Sequence, residues 1–187
     1  MLASGRLTLA GGDQPGLKAG PASLTDPRVL QAALADKAKK DISAARQLIE
    51  EMRNAGDAEA FKSKAASAGK ALDRAEAMAP GIARSYRVEI VRLRIGRIRD
   101  EADQVARDFD KESNTLGKVD LPVPAYRAKV QKLISLLDTM GGDLKEIVEI
   151  SKPFPRDLLL DVKWAELDLK KNKEMRDVLV GELDVRK

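Results

Sequence analysis

Three observations predict an all-α fold: apolar residues recur at alternating spacings of three and four, aromatics are scarce, and oxygen caps, prolines and glycines break the apolar stripes at helix-length intervals. Aromatics make up only 3% of the chain. The alanine, leucine, lysine and arginine that replace them lose little side-chain entropy in a helix. The expected architecture is an elongated antiparallel bundle of roughly four to six helices with coiled-coil-like seams. An extended N-terminal arm precedes it, and a C-terminal segment that is helix or β-hairpin follows. The arm is expected over 1–24, the bundle over 25–151, and over 152–187 a segment that packs on the bundle or on a partner.

The arm holds Gly5, Gly11, Gly12, Pro15, Gly16, Gly20 and Pro21 with almost no charge, and nothing in it repeats at helical period. Leu7 and Leu9 are its candidate contacts, since a weakly charged leucine-bearing arm suits lying along another surface. Thr25-Asp26-Pro27 then offers an oxygen cap followed by a proline, which is tolerated where a helix leaves its first amides unpaired. Leu30, Leu34, Ala38, Ile42, Ala45, Ile49 and Met52 track one face of the helix that follows. Gly56 is placed to end it in a left-handed cap and Asp57 to cap the next helix, so the joint is short and the pair antiparallel. The second stripe, Phe61, Ala65, Ala68, Leu72, Ala75 and Ala79, is mostly alanine. Alanine buries less area than leucine, so this helix is expected to lean on its neighbours.

The stretch from Ile82 to Phe109 reads as one long helix, entered through Pro80-Gly81. Tyr86, Val88 and Ile90 alternate as in a strand, but the alternation slips at Val91, while the helical stripe Val88, Val91, Ile95, Ile98, Ala102, Val105 and Phe109 runs on. A second set, Ile82, Tyr86, Ile90 and Leu93, falls opposite the first at roughly 100° per residue. The first half is therefore expected between neighbours. The second half, apolar on one side only, is expected to project.

Charge on this helix runs against its macrodipole, which prefers anions at the N-terminus and cations at the C-terminus. Arginines at 84, 87, 92, 94, 97 and 99 dominate its first half, and Asp100, Glu101, Asp103, Asp108, Asp110 and Glu112 its second. Local helix stability does not account for this, so the charges are addressed to something outside the helix: another helix of the chain, a second copy, or a different subunit. Arg87, Arg92, Arg94 and Arg99, with Glu101 and Asp108, are the candidate partner-binding residues.

Pro124 opens a further helix carrying Tyr126, Val130, Leu133, Leu137, Met140, Leu144 and Ile147. Gly141-Gly142 is expected to kink or break it, with Asp143 and Glu146 at capping-box spacing. After Lys152-Pro153-Phe154-Pro155, the stripe Leu158, Val162, Ala165 and Leu169 predicts helix through about Lys171. Alternation at Val178, Val180, Leu183 and Val185 leaves the tail open to strand. Trp164, the only tryptophan, is the anchor for packing this segment or a contact for another subunit.

The chain has neither cysteine nor histidine. That removes disulfides, thiolate metal sites, cysteine nucleophiles and every Ser-His-Asp arrangement. No dinucleotide loop, phosphate loop or nucleophile elbow is present, and no carboxylate pair stands out from helical surface charge. No enzyme, metal or cofactor is expected. No apolar run reaches a membrane span and the N-terminus makes a poor secretory signal, so the expected location is the cytoplasm or a particle assembled there.

The function expected is a non-catalytic structural or scaffolding protein that builds a larger assembly through helix faces, arm and tail. Components of large particles, virions included, offer the analogy. The partners are then protein subunits, self or other. The alternative is a nucleic-acid-associated helical protein that sets the Arg84–Arg99 stretch on phosphates. A net charge of +4, from 34 basic and 30 largely interleaved acidic residues, gives that alternative little field to work with.

Overall fold

A computed structural model of the chain describes residues 27–115, 123–153 and 158–185. The fold is all-α. The described residues form five helices, α1 (Pro27–Arg53), α2 (Ala58–Met78), α3 (Arg84–Thr115), α4 (Val123–Ser151) and α5 (Leu159–Val185), and no strand. The arm, with Leu7 and Leu9, lies outside the described residues, as does the 117–122 connection.

The joint between α1 and α2 forms as the cap residue dictates. Asp57 is extended and its carboxylate accepts from the Ala60 amide at 2.7 Å, satisfying one of the amides the helix start leaves over. Gly56 does not adopt the expected left-handed conformation; the only positive φ among the described residues is 92° at Gly81. α1 ends instead on a tightened turn, with the Ala55 amide donating to the Met52 carbonyl at 3.2 Å and Asn54 Nδ2 to the Glu50 carbonyl at 2.9 Å. Asp41 pairs with Arg74 and Glu51 with Lys64, so the two helices run antiparallel.

α3 is the helix both other pairs meet. Ile90, with Ile82, Tyr86 and Leu93 half-buried beside it, packs into a core built from Ile42, Ile49 and Met52 of α1 and Phe61, Ala68 and Leu72 of α2. On its opposite side Val88, Val91 and Ile95 join Leu144 and Ile147 of α4 and Ala165 of α5, with Leu158 at the entry to α5, in a second core. The two apolar sets read on this helix are thus buried against two different helix pairs. Its N-terminus carries no acidic residue of its own in the first turn. Glu76 of α2 supplies one, accepting from the Gly81 amide at 2.6 Å and the Ala83 amide at 3.2 Å, where an anion meets the positive end of the dipole.

The second half of α3 does not project. Val105 is buried there, Val130 is buried on α4, and Glu101 pairs with Lys132 at 3.0 Å. One apolar side suffices because α4 runs antiparallel along that side.

α4 passes through Gly141-Gly142 without a break. Helix packing overrides the weak propensity of the glycines, and Gly141 has a packing reason to be there. Asn172 of α5 is buried, and its Nδ2 donates to the Leu137 carbonyl of α4 at 2.8 Å. A Cβ on residue 141 would stand 3.2 Å from that nitrogen. The tail that alternation left open is helix: α5 is continuous to Val185, and Tyr126 donating to Glu182 at 3.2 Å, with Asn172 donating to the Leu137 carbonyl, sets it antiparallel to α4.

The adjacent glycines should respond oppositely to alanine. Gly142→Ala, with nothing within 4 Å of its Cβ, is expected to raise stability by about 0.5–1 kcal/mol through backbone entropy. Gly141→Ala is expected to lower it by about 1 kcal/mol, because the displaced Asn172 loses its bond to Leu137. Urea midpoints at unchanged slope measure both.

Candidate interaction surface

The arginines of α3 are where the sequence concentrates its charge, and each described one is held within the chain. Arg84 pairs with Glu76 and Arg87 with Asp73 of α2, the latter at 2.6 Å. Arg92 pairs with Asp161 of α5, and Arg99 with Asp168 at 2.5 Å. Arg94 reaches Asp143 at 2.9 Å and Glu146, both on α4. Those two carboxylates stand at capping-box spacing but cap nothing, because the helix runs through them. Arg97 donates to the Asp57 carbonyl at 2.8 Å and the Gly56 carbonyl at 3.3 Å, closing the α1–α2 joint, while its guanidinium lies 4.8 Å from the centre of the Phe61 ring. Glu89, the one carboxylate in this half, meets Arg53 of α1.

The arrangement has a consistent geometry. The short aspartates are sunk beside the apolar cores, with side-chain exposures of 16% for Asp161 and Asp168 and 14% for Asp143, while the arginines that reach over them are 34–49% exposed. Arg92 and Arg99 are seven residues apart, as are Asp161 and Asp168. Two turns of one helix therefore match two turns of the other, and α3 and α5 run parallel. Trp164 lies between these two pairs, its ring centre 5.3 Å from the Arg92 guanidinium and 5.7 Å from that of Arg99. Cations over the indole face add an attraction that solvent does not quench as readily as an exposed ion pair. The matched spacings are in the sequence and could have singled out Asp161 and Asp168, which the sequence reading passed over.

Of the other partner-binding candidates, Glu101 is paired with Lys132, and Asp108 accepts from Gln104 Nε2 at 2.7 Å, one turn away on the same helix. Glu101 is thus brought to α4 and Trp164 to the arginines of α3, whereas Asp108 stays a local contact. Burial is the largest influence on Asp143 and holds its carboxyl above the ordinary carboxylate range, against the opposing pull of Arg94. No group of three or more acidic residues able to hold a metal ion occurs among the described residues. No described helix is long and apolar enough to cross a membrane.

Two features of the α5 surface stand out once these pairs are made. One is a groove of about 640 Å³ between α4 and α5, where Lys145, Lys170 and Lys173 stand around Gly141, Gly142 and Asn172. The glycine amides there belong to the interior of α4, so they do not cradle an anion. The other is the outer side of α5. Leu160 is 81% exposed, Val178 64%, Met175 58% and Leu167 53%. These four lie on one side of the helix, opposite Leu158, Ala165 and Asn172, which face inward. The inward stripe already satisfies the helical pattern of the sequence, and the outward one becomes visible only with the packing of α5.

Removing the arginine from the α3–α4 pair should give a pH-dependent defect. Arg94→Ala leaves the largely buried Asp143 without its main counter-charge, and a loss of about 1–2 kcal/mol is expected at neutral pH. Loss of Arg94 removes what holds the Asp143 pKa down, so its folded value rises further above 3.8. The folded chain then takes up the proton more readily than the unfolded one. The deficit should be largest above that range and shrink as pH falls through it. Chemical unfolding of the variant and the unsubstituted chain between acid and neutral pH measures this.

In comparisons with protein-family models, curated proteins and solved structures, nothing matches the chain.

Proposed function

We propose that the protein is a non-catalytic structural or scaffolding component, an antiparallel helical bundle that builds a larger assembly through its helix faces. The observation that carries this reading is the outer side of α5. There Leu160, Leu167, Met175 and Val178 are exposed together on one stripe, whereas single scattered apolar residues are normal on a surface and need no explanation. The internal charge network supports it from the other direction. Arg92 and Arg99 tie α5 to α3, and the other arginines of that half tie α3 to α2, to α4 and to the α1–α2 joint. That side of α5 is thereby held, and a fixed surface costs less entropy to dock. The N-terminal arm and assembly into a particle belong to the same proposal.

Phosphate binding by the Arg84–Arg99 stretch is the competing use of the same residues. It would require those arginines to leave carboxylates such as Asp143, Asp161 and Asp168, each of which would then stand largely buried and unpaired. The expected outcome is therefore weak binding of duplex or single-stranded nucleic acid. Arg92→Ala and Arg94→Ala should not flatten its salt dependence. A steep salt slope that these substitutions do flatten would replace the scaffolding reading with the nucleic-acid one. In light scattering across concentration at low and high salt, the protein is expected to associate. A compact monomer under every condition would count against assembly from copies of this chain.

A further inference from the structure

The exposed stripe of α5 carries a charge pattern that specifies its occupant. Leu160, Leu167, Met175 and Val178 fall within an arc of about 80°, at roughly 100° per residue, and all are more than half exposed. Half-buried Trp164 lies on the flank of that arc that faces α3. Along the other flank stand Lys163, Glu166, Lys170 and Glu174, all exposed, in the order plus, minus, plus, minus, with exposed Asp177 following them on the same flank. Reversed end for end, those four read minus, plus, minus, plus. A second α5 laid antiparallel against the first therefore sets Lys163 beside Glu174 of the second copy and Glu166 beside Lys170, and the dyad repeats both pairs. Laid parallel, the copies would set this row against the opposite flank of the stripe, where Trp164, Asp168 and Met175 lie, and neither lysine–glutamate pair would form.

We infer that the outer face of α5 is a self-association surface on which two copies of this chain pair through antiparallel α5 helices, with the dyad near residue 169. This rests on the assembly reading above and names the partner for one of its faces. In that register Leu160 lies opposite Val178 of the second copy, and Met175, on the other flank of the stripe from Lys163, lies beside Trp164 of the second copy. Lys171 is the one charge on the stripe itself. It lies opposite Leu167 of the second copy, where its stem can run along the leucine while its ammonium stays in water. The ordering of charges selects the antiparallel register, as flanking charges do between paired helices, and the four apolar residues supply the contact. A dyad gives each copy the same patch to use, so the contact closes on two chains and leaves the other faces available.

Three measurements on the full chain test this. The protein has no cysteine of its own, so Leu160→Cys and Val178→Cys chains can be prepared separately, mixed and oxidised. Cross-linked dimers joining position 160 to position 178 are expected in preference to either like-with-like product. Predominant 160–160 links would overturn the antiparallel register. In sedimentation, Leu167→Lys with Val178→Lys is expected to abolish the dimer, while thermal unfolding at dilutions where the unsubstituted chain is monomeric stays unchanged, since both positions are exposed. Lys163→Glu is expected to weaken the dimer roughly tenfold, and Glu174→Lys in the same chain to restore it. An association that ignores all three changes would overturn the α5 face while leaving the assembly reading in place. A chain that stays monomeric at every concentration would overturn the α5 face and self-assembly together.

Discussion

Everything in this molecule follows from one helix that is apolar on two opposite sides. A helix with a single apolar stripe can rest on a core and turn its back to water. From Ile82 to Ile95, α3 has no such back: Ile90 and its neighbours need cover on one side, and Val88, Val91 and Ile95 on the other. Fully burying a side chain of this size contributes about 1.5–3 kcal/mol, so leaving either side wet would forfeit much of a core. Two helix pairs supply the cover. α1 and α2 close one side, α4 and α5 the other, and the chain order places α3 between them.

The arginines follow from the same constraint. On a helix covered from both sides, the positions beside the apolar sets face neighbouring helices at close range, and a charge placed there must be answered. Short aspartates on the neighbours answer from near the core, and the long arginine stems bring the guanidinium groups over them from the surface. Each pair adds little stability by itself, since exposed ion pairs are worth about 0.2–1 kcal/mol. Together they fix which turn of α3 meets which turn of α4 and α5, something apolar contacts alone specify poorly. Trp164, between Arg92 and Arg99, adds to part of that charge row an attraction that water competes with less than it does with an exposed ion pair.

Much of this fold was legible because it rests on local signals. The two-sided character of α3 and the cap at Asp57 are properties of short spacings and residue types, and both appear where those spacings place them. What lay beyond reach required knowing which helices lie side by side. The arginines were recognisably addressed to something outside their own helix, but Asp161 and Asp168 are 69 positions along the chain from Arg92 and Arg99. Only the shared spacing of seven hints at the match. Gly141-Gly142 misled in the opposite direction: propensity argues for an interruption, whereas the close approach of Asn172 leaves little room for a side chain at 141 inside an intact helix. The outer stripe of α5 escaped notice because its inner stripe already satisfied the helical pattern.

Because α3 serves as a wall for both cores, the two halves of the protein share one structural member. Melting either helix pair strips one side of α3 and exposes residues whose burial helped hold the helix against the other pair. Neither core can open without weakening its neighbour, although the cores themselves are built from different helices. The shared wall converts two small cores into one cooperative unit, with α3 as the element whose loss dissolves both.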